Sequence, residues 1–388
     1  MKIMFSHMGL YKKNGWGRTF ELAKGLVTLG NNVTILCSST GKNKIYEQFY
    51  EYGVKIIVFY DFIPRGVLGS GYGILSLISR FFYAMSHKFD IVHSDSHRDA
   101  AYMPCIINKF FFGSKLFIEW WDNFEEKVKI SDKKRWYRFF LDNREIKREI
   151  STKVKSDGCI VLSKLLKQRA IKIGVKEENI LLLHGGCDVD NIQNLLSIDV
   201  KRQNNIDVNE VTFGFIGMGD GEFSDLKCFF EALSELPSSV NVKFLNFGRS
   251  LEKTIKQMPN LKSRVIECGW IDFYRDSSKL SAVDVFVLTK EDDIINNSGW
   301  PTKFGDYLAC GRPILLNPYG ELLDFIVKNQ PSLICVNNEK ESIKAQILNV
   351  CENKYDLLGM GANNRKIAEQ NSWLEKSREL YSFYKQNI

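Results

Sequence analysis

The feature that most constrains the fold is a strand, a glycine loop and a helix in that order, found once in each half of the 388-residue chain. In the first half, an apolar strand over 2–5 leads into the glycine loop 14–17 and a helix over 18–29. In open α/β sheets, ligands bind where such strands end and the next helices begin. The unit therefore predicts a largely parallel sheet with a ligand site near the glycine loop.

The second half repeats this plan with a strand over 211–216, the glycine loop 217–221 and a helix over 225–236. Further strand patterns alternate with helical segments along both halves, as in βαβ units. The remaining predicted strands are 32–36, 54–59, 91–92, 115–119, 158–162, 180–183, 242–247, 265–266, 283–288, 314–316 and 333–336. We therefore expect an α/β fold of two Rossmann-like, doubly wound domains that face each other across a cleft.

Chain length and one polar stretch indicate where the domains divide. A chain of 388 residues exceeds what a single hydrophobic core usually holds, so two domains are expected. The stretch 190–209 has little apolar periodicity and is interpreted as a linker. This interpretation places an amino-terminal domain at 1–189 and starts the carboxyl-terminal domain at residue 210.

The cysteines and the lack of long apolar runs indicate in which cellular compartment the protein is expected. The nine cysteines are scattered, odd in number and contain no C-x-x-C pair, which argues against a disulfide framework and a zinc site. The amino terminus lacks the basic and apolar runs of a secretory signal. The best candidate for a membrane span, 73–85, is short and interrupted by Arg80. We therefore expect a cytoplasmic protein without a metal.

Positive charge is concentrated in the first half of the chain. Residues 1–190 carry 30 Lys and Arg against 20 Asp and Glu, whereas the rest carries 23 against 26. Within 127–172 there are 15 positive against 5 negative side chains, together with the aromatic residues Trp136, Tyr137, Phe139 and Phe140. Such a stretch can bind an anionic membrane surface or a lipid-linked substrate, or it can be a solvated helix whose aromatic residues face the core. No nucleic-acid-binding module accompanies it, so we expect no nucleic acid partner.

Residues 298–313 carry the most specific indication of a ligand. Pro301 suits the start of a helix and Gly311 its left-handed end, and no good N-cap side chain claims the first N–H groups. Such a helix start favours an anion, and Lys303 adds a positive charge there. Asp306, on the same face, can accept hydrogen bonds from hydroxyl groups. A phosphate site beside this carboxylate suits a nucleotide, whereas the alternative is a solvated pair of Lys303 and Asp306.

Six passages, in the right order, resemble the GT-B glycosyltransferases of the "glycosyl transferases group 1" class over nearly the whole chain. They are 14–18, 90–95, 182–188 with Ser163, 269–271 with 280–285, 301–313, and 372–373. The resemblance implies a carboxyl-terminal domain at 210–367 that binds a nucleotide sugar, and a helix over 368–388 that returns to the acceptor-side first domain. It also implies transfer from a nucleotide-diphosphate sugar, mostly with retention of configuration.

The resemblance also assigns roles to single positions. Asp306 falls on the family's ribose-binding glutamate, and Ser298 on the glutamate that contacts the transferred sugar. The family's diphosphate-binding Arg and Lys are absent from the second glycine loop, so Lys303 and Lys227 are the candidate replacements. Trp121 takes the place of an active-site histidine, which leaves four polar candidates for catalysis. These are Asp95, His97, Glu119 and Asp122. The predicted nucleotide-sugar-binding residues are Gly15, Trp16, Gly17, Gly217, Gly219, Lys227, Trp270, Ile271, Ser298, Gly299, Trp300, Pro301, Thr302, Lys303 and Asp306.

The resemblance implies a metal-independent hexosyltransferase without cofactors, with a saccharide or lipid-linked saccharide as acceptor, in polysaccharide or glycoconjugate biosynthesis. A peripheral position at the inner face of the cell membrane is expected from the basic stretch. Two alternatives stay open. Ser298 and the missing loop cations leave room for a catalytically degenerate GT-B subunit or scaffold, and a GT-B sugar-nucleotide epimerase would share the donor site.

Overall fold

The computed structural model of the protein describes residues 1–13, 15–41, 44–69, 71–123, 125–126 and 136–388, without the side chains of 65 and 136–142. The chain forms two compact units. Unit 1 comprises Met1–Gly185, Ser298–Trp300 and Trp373–Ile388, and unit 2 comprises Gly186–Asn297 and Pro301–Ser372. Each unit is built around its own sheet.

The sheet of unit 1 has eight strands in the order β3-β4-β2-β1-β5-β6-β7-β8. They are β1 (Lys2–Leu10), β2 (Asn32–Thr40), β3 (Tyr46–Glu51), β4 (Val54–Asp61), β5 (Ile91–Ser94), β6 (Lys115–Trp120), β7 (Gly158–Val161) and β8 (Ile180–Leu182). All neighbours pair in parallel except β3, which pairs antiparallel with β4. The predicted parallel sheet is confirmed, and β3 is an addition to it. This strand escapes the sequence pattern because it lies at the edge and none of its side chains is fully buried.

The helices of unit 1 alternate with the strands along the chain, as in βαβ units. They are Trp16–Thr28, Arg65–Leu68, Ile74–Ser86, Asp99–Phe112, Trp136–Val154, Lys164–Lys172 and the closing Trp373–Gln386. The closing helix contributes Leu380, Phe383 and Tyr384 to a core cluster that also contains Phe5 and Phe117. The last residues of the chain thus complete the core of unit 1.

The sheet of unit 2 has six strands in the order β11-β10-β9-β12-β13-β14, all parallel. They are β9 (Val211–Gly217), β10 (Val242–Gly248), β11 (Val265–Gly269), β12 (Val285–Leu288), β13 (Ile314–Leu316) and β14 (Leu333–Cys335). The helices are Ser197–Gln203, Phe223–Ser234, Glu252–Gln257, Ile294–Ser298, Thr302–Ala309, Gly320–Asn329, Lys340–Cys351 and Leu357–Gln370. Both sheets together confirm the expected pair of Rossmann-like α/β sheets.

The stretch 190–209 differs from the linker that its polar sequence predicts. It lies within unit 2 and contains the helix Ser197–Gln203. Lys201 on this helix is buried and binds the Asp284 carboxylate at 2.5 Å and the Glu210 carbonyl oxygen at 2.7 Å. Because these contacts are polar and Asp284 is distant in sequence, apolar periodicity does not reveal that the segment packs.

The helix predicted at about 301–310 is observed as Thr302–Ala309, with Pro301 as N-cap residue. No side chain caps its first N–H groups, and Gly311 has the left-handed φ of +62° that ends it. Tyr307 holds the helix against the sheet. Its ring stacks on Phe286 of β12 at 4.1 Å, and its hydroxyl accepts a hydrogen bond from Ile216 N of β9 at 3.1 Å. The start of the helix is therefore fixed beside the end of β9.

The basic stretch 127–172 is described only in part. Residues 127–135 and the side chains of Trp136, Tyr137, Phe139 and Phe140 lie outside the described part of the chain. Several of its described cations have internal partners: Arg144 and Arg148 bind Asp99, and Arg169 binds Glu125. No helix among the described residues is long and apolar enough to span a bilayer.

Candidate functional site

The second glycine loop is shaped so that two charged side chains meet over its backbone. Gly217 ends β9, and a short 3-10 helix, Gly219–Glu222, follows. A Cβ atom on Gly217 would overlap the Glu222 carboxylate and lie 2.8 Å from Lys303 Nζ. Gly219 has a φ of +57°, and a Cβ there would overlap the Arg249 carbonyl oxygen. Gly219 is therefore required by its backbone, whereas a side chain at Gly217 would displace the charged ends of Glu222 and Lys303.

Glu222 binds two donors at this loop. Lys303 Nζ lies 2.5 Å from Glu222 Oε1, and Met218 N donates to Glu222 Oε2 at 2.6 Å. The Lys303 ammonium also lies 4.0 Å from the centre of the Phe215 ring. Burial lowers the pKa of Lys303, and the Glu222 carboxylate opposes that shift. An ammonium and a backbone N–H thus converge on one carboxylate of the chain itself.

Asp306 and Lys303 occupy successive positions on one face of the Thr302–Ala309 helix. Lys303 lies in the first turn, close to the uncapped N–H groups, and the half-buried Asp306 lies one turn further. The helix therefore presents positive charge at its start and a carboxylate beyond it. This is the arrangement that the sequence predicts for a phosphate beside hydroxyl groups.

Lys290 is a cation of this region that sequence reasoning missed. Its ammonium binds the Asp225 carboxylate, and its backbone N–H donates to Asn317 Oδ1 at 2.9 Å. The residue lies two positions beyond the end of β12, at the same edge of the sheet as Gly217. Examining the residues that follow each predicted strand would have found it.

The side chains of three other predicted nucleotide-binding residues of unit 2 are exposed or half-buried. Trp270 follows Gly269, which ends β11 with a φ of +71°, and its side chain is 68% exposed. Ile271 is half-buried. Lys227 is 57% exposed and lies 3.9 Å from Glu231 on its own helix. Of the two candidate cations, Lys303 therefore lies at the glycine loop, and Lys227 pairs along its helix.

Ser298, Gly299 and Trp300 belong to unit 1, whereas Pro301, Thr302, Lys303 and Asp306 belong to unit 2. Ser298 is 1% exposed, and its carbonyl oxygen accepts a hydrogen bond from Ser163 Oγ at 2.7 Å. The Trp300 indole stacks on His184 at 4.2 Å with an interplanar angle of 8°. The predicted set is thus divided between the two units by local packing.

The first glycine loop is packed by aromatic rings. Gly15 caps the Trp16–Thr28 helix with a φ of +85°, and a Cβ there would overlap the Trp121 ring. Trp16 is buried and packs against Phe20 at 5.6 Å. Gly17 has open space where its Cβ would be. The loop therefore contacts Trp121, which takes the place of the histidine that the resemblance implies.

The four predicted catalytic residues line one cavity of unit 1 with a volume of about 180 Å³, together with Trp121 and Lys153. Asp95 binds His7 Nδ1, and it accepts hydrogen bonds from Met8 N at 2.9 Å and Thr19 Oγ1 at 3.2 Å. These contacts tie the end of β1 to the helix that follows it. The structure therefore brings the four residues together and gives Asp95 a positioning contact.

Glu119 is buried in an ion-pair network. Its carboxylate binds Arg18 Nε at 2.8 Å, lies 3.3 Å from His93 Nε2 and accepts a hydrogen bond from Trp121 Nε1. Burial alone would raise the pKa of Glu119, but Arg18 and His93 outweigh it and lower the value to about 2. Glu119 is therefore ionised across the neutral range and orients Trp121 over the first glycine loop.

His97 and Asp122 differ in exposure. His97 is buried with Nε2 3.2 Å from Glu145 Oε2, and burial lowers the pKa of His97 against the opposing effect of Glu145. Asp122 is exposed. Since it is the exposed one of the four, Asp122 has the best access to a ligand of this cavity. Their catalytic roles stay predictions.

The described residues contain no group of three or more His, Cys, Asp and Glu side chains arranged to hold a metal ion. The chemistry available at the loop of unit 2 is that of an ammonium, backbone N–H groups and a carboxylate. Such groups bind a phosphate and neighbouring hydroxyl groups.

Two family models match successive parts of the chain. The model described as glycosyltransferase family 4 matches residues 18–191, and the model described as glycosyl transferases group 1 matches residues 210–353. No curated protein matches the sequence significantly.

Solved structures match almost the full length at low sequence identity. HepE from Anabaena, in complex with UDP-glucose, is 13% identical with a TM-score of 0.69, and 98% of each chain is covered. Sucrose-phosphate synthase from Thermosynechococcus elongatus is 15% identical with a TM-score of 0.76, covering 99% of this chain and 98% of that one. WaaG, a glycosyltransferase involved in lipopolysaccharide biosynthesis, is 14% identical with a TM-score of 0.67, and 98% of each chain is covered. At these identities the likeness establishes the fold.

Proposed function

Because the chain belongs to the group 1 glycosyltransferases of the GT-B fold, we propose that it transfers a hexose from a nucleotide-diphosphate sugar to an acceptor hydroxyl. The observation that carries this proposal is the binding of the Glu222 carboxylate by Lys303 Nζ and Met218 N. The diphosphate of a nucleotide sugar carries more negative charge than a carboxylate, so it can bind Lys303 Nζ and Met218 N more strongly than Glu222 does. We infer that the diphosphate takes the place of Glu222 at this loop.

The rest of the donor follows from the same helix and its neighbouring strands. Asp306 is placed to accept hydrogen bonds from the ribose hydroxyls. The exposed Trp270 and the half-buried Ile271, which follow β11, are proposed to contact the base. Uracil is the first base to test, because HepE, which shares the fold, was solved with UDP-glucose.

The proposed reaction breaks the bond between the anomeric carbon and the diphosphate oxygen and forms a bond from that carbon to the acceptor oxygen. The acceptor proton goes to the leaving phosphate, so the nucleoside diphosphate departs from the face at which the acceptor arrives. Retention of configuration follows. The leaving charge is stabilised by Lys303 and by backbone N–H groups, whose dipoles are already oriented, without a metal. Product analysis by NMR tests this step, and an inverted anomer would contradict it.

The acceptor is proposed to be a saccharide or a lipid-linked saccharide, with Asp122 of unit 1 as its exposed polar contact. A product in polysaccharide or glycoconjugate biosynthesis is the corresponding proposal for the pathway. Contact of 127–172 with an anionic membrane surface stays a prediction, and a vesicle flotation assay with and without anionic lipid tests it.

Thermal stabilisation by nucleotides tests the donor site directly. The melting temperature is measured with UDP, GDP, ADP and their sugar conjugates, with and without EDTA, for the wild type and Asp306→Ala. We expect an EDTA-insensitive increase with one base, and its loss in the variant. No increase with any nucleotide would favour the degenerate scaffold. Release of an altered sugar nucleotide in the absence of an acceptor would instead indicate an epimerase.

A further inference from the structure

The helix Ile74–Ser86 of unit 1 buries polar residues and exposes apolar ones. Its buried positions lie four residues apart and are Ser76, Arg80 and Ala84. Its apolar stripe, with the same spacing, consists of Ile74, Ile78 and Phe82, which are 63, 48 and 62% exposed. An amphipathic helix of a globular protein usually packs its apolar stripe against the core, so this helix has the reverse orientation.

Arg80 fixes this orientation of the helix. Its buried guanidinium donates from Nη1 to the carbonyl oxygens of His7 and Ala100, both at 2.7 Å, and from Nη2 to Ser38 Oγ at 2.6 Å. Ser76 Oγ lies 2.6 Å from the same Ser38 Oγ. Because a buried guanidinium without such acceptors would be costly, the helix cannot rotate to bury its apolar stripe instead. The stripe therefore stays exposed in the folded chain.

Further large apolar side chains are exposed near this helix. They are Leu75 on the same helix, and Phe110 and Phe111 at the end of the neighbouring helix Asp99–Phe112. Asn108 joins the ends of the two helices, since its side-chain amide donates to the carbonyl oxygens of Ala84 and His87 at 2.6 and 2.7 Å. Several large apolar side chains exposed in one region mark a surface that binds a partner or a membrane.

The charges around the apolar stripe are complementary to an anionic surface. Residues 62–89 contain no Asp or Glu, and the exposed Lys88 follows the helix. The next carboxylate along the chain, that of Asp90, accepts a hydrogen bond from Lys2 N at 2.7 Å. Repulsion between the stripe region and anionic lipid headgroups is therefore small.

A basic helix adjoins the same pair of helices. Asp99, the first residue of Asp99–Phe112, binds Arg144 and Arg148 of the helix Trp136–Val154. Arg144 and Lys147 of this third helix are exposed. Exposed apolar side chains together with cations are typical of helices that lie in the interface of an anionic bilayer.

We propose that the apolar stripe inserts into the interface of an anionic phospholipid bilayer. A bilayer fits better than a second protein, because the stripe offers only hydrocarbon, whereas protein interfaces include about one hydrogen bond per 100–200 Å². The helix has 13 residues, so it lies in the interface and does not cross the bilayer. The proposal differs from the predicted contact of 127–172 because apolar side chains carry it, and it does not depend on transfer activity.

Vesicle flotation of the full chain tests the proposal. The vesicles contain phosphatidylcholine with about one quarter phosphatidylglycerol. Binding is measured at low salt and at about 0.5 M NaCl, which screens exposed charges. We expect the wild type to float under both conditions, and the double variant Ile78→Ser, Phe82→Ser to bind at least about tenfold more weakly. The matched control is Val327→Ser, Leu358→Ser, which removes two exposed apolar side chains from unit 2 and should bind like the wild type.

Failure of the wild type to float would overturn the proposal, as would equal binding of the stripe variant and the wild type. Loss of all binding at high salt would also overturn it and would assign the contact to the cations. Light scattering without lipid tests the other occupant, since a wild-type dimer that the stripe variant dissociates would mean that a second copy covers the stripe. Thermal unfolding shows whether the stripe variant is folded, and Ile74→Ser with Leu75→Ser replaces it if it is not.

Discussion

The two glycine loops of this protein share a backbone plan and differ in what surrounds them. The loop of unit 1 is covered by Trp121, and the nearby charges of Arg18 and Glu119 are buried and paired with each other. In the loop of unit 2, the half-buried Lys303 and Glu222 meet directly over the glycine backbone. The charges at the first loop are therefore part of the packed interior, whereas those at the second form a half-buried ion pair, which we propose a ligand opens.

This difference teaches that a strand, glycine loop and helix determine a place for a ligand but not the chemistry of that place. The chemistry comes from residues far away in sequence. Trp121 lies more than a hundred residues beyond the first loop, and Lys303 lies some eighty residues beyond the second. Four predictions test whether the charges of the two loops really differ in role.

The largest effect is expected for Arg18→Met in unit 1. Removing this guanidinium leaves the buried Glu119 carboxylate without its main partner, which costs about 3–5 kcal/mol of unfolding free energy. Urea denaturation measures the loss. Arg202→Met, which removes an exposed cation paired on its own helix, is the control and should change stability by less than about 0.5 kcal/mol. Equal effects of the two substitutions would remove the distinction between the loops.

The same ion pair predicts an acid limb of the stability curve. The folded-state pKa of Glu119 is lowered to about 2, below its ordinary value of 4.5, so this contribution is present above that value and is lost as pH falls towards 2. The lost free energy is on the order of 3 kcal/mol. The unfolding free energy of the wild type and of Glu119→Gln is measured from pH 6 down to about pH 2. The difference between the two curves isolates the contribution of the Glu119 carboxylate, because the variant lacks that carboxylate. Parallel curves would contradict the assignment.

In unit 2, Lys303→Ala is expected to weaken nucleotide binding by about 1.5–3 kcal/mol, the value of a charge-assisted bond. The unfolding free energy should change less than in Arg18→Met, since Glu222 keeps its hydrogen bond from Met218 N. Isothermal titration with the nucleotide that stabilises the protein gives the affinity. Lys227→Ala is the matched control, because this exposed lysine lies on its own helix beside Glu231. Unchanged nucleotide affinity in Lys303→Ala would mean that Lys303 does not bind the ligand and forms only a solvated pair with Asp306.

The smallest effect is expected for Glu222→Gln. If the diphosphate displaces this carboxylate, removing its charge should strengthen nucleotide binding by about 0.5–1.5 kcal/mol. The same titration measures the gain, with Glu231→Gln on the neighbouring helix as control. Weaker binding in Glu222→Gln would mean that the carboxylate helps to hold the donor.

The fold could be predicted from sequence to the extent that local residues determine it. Pro301 and Gly311 bracket a short helix, and the strands before and after it are uninterrupted apolar runs. The edge strand Tyr46–Glu51 was missed because no fully buried side chain marks it. The helix Ser197–Gln203 was missed because its buried lysine is held by polar contacts, one of them to the distant Asp284.

The candidate site was predictable only in outline. Lys303 and Asp306 are readable because they lie one turn apart on one helix. Lys290 could have been found among the residues that follow the predicted strands. Glu222 directly follows the predicted glycine loop, but its contact with Lys303 is not readable, since it depends on β9 and β12 being neighbours in the sheet. The spacing of residues in a motif predicts which side chains share one face of a helix. The order of strands in the sheet determines which side chains from distant parts of the sequence come into contact.

The closing helix Trp373–Gln386 has a consequence for the order in which the chain matures. Most of unit 1, Met1–Gly185, is synthesised before unit 2, yet Leu380 and Tyr384, which are fully buried in its core, are synthesised after unit 2. During translation, unit 2 therefore has its whole sequence available before unit 1 does. A released chain that ends at Ser372 should be protease-sensitive in its amino-terminal half and resistant in the half made later, the reverse of the usual order of synthesis and folding.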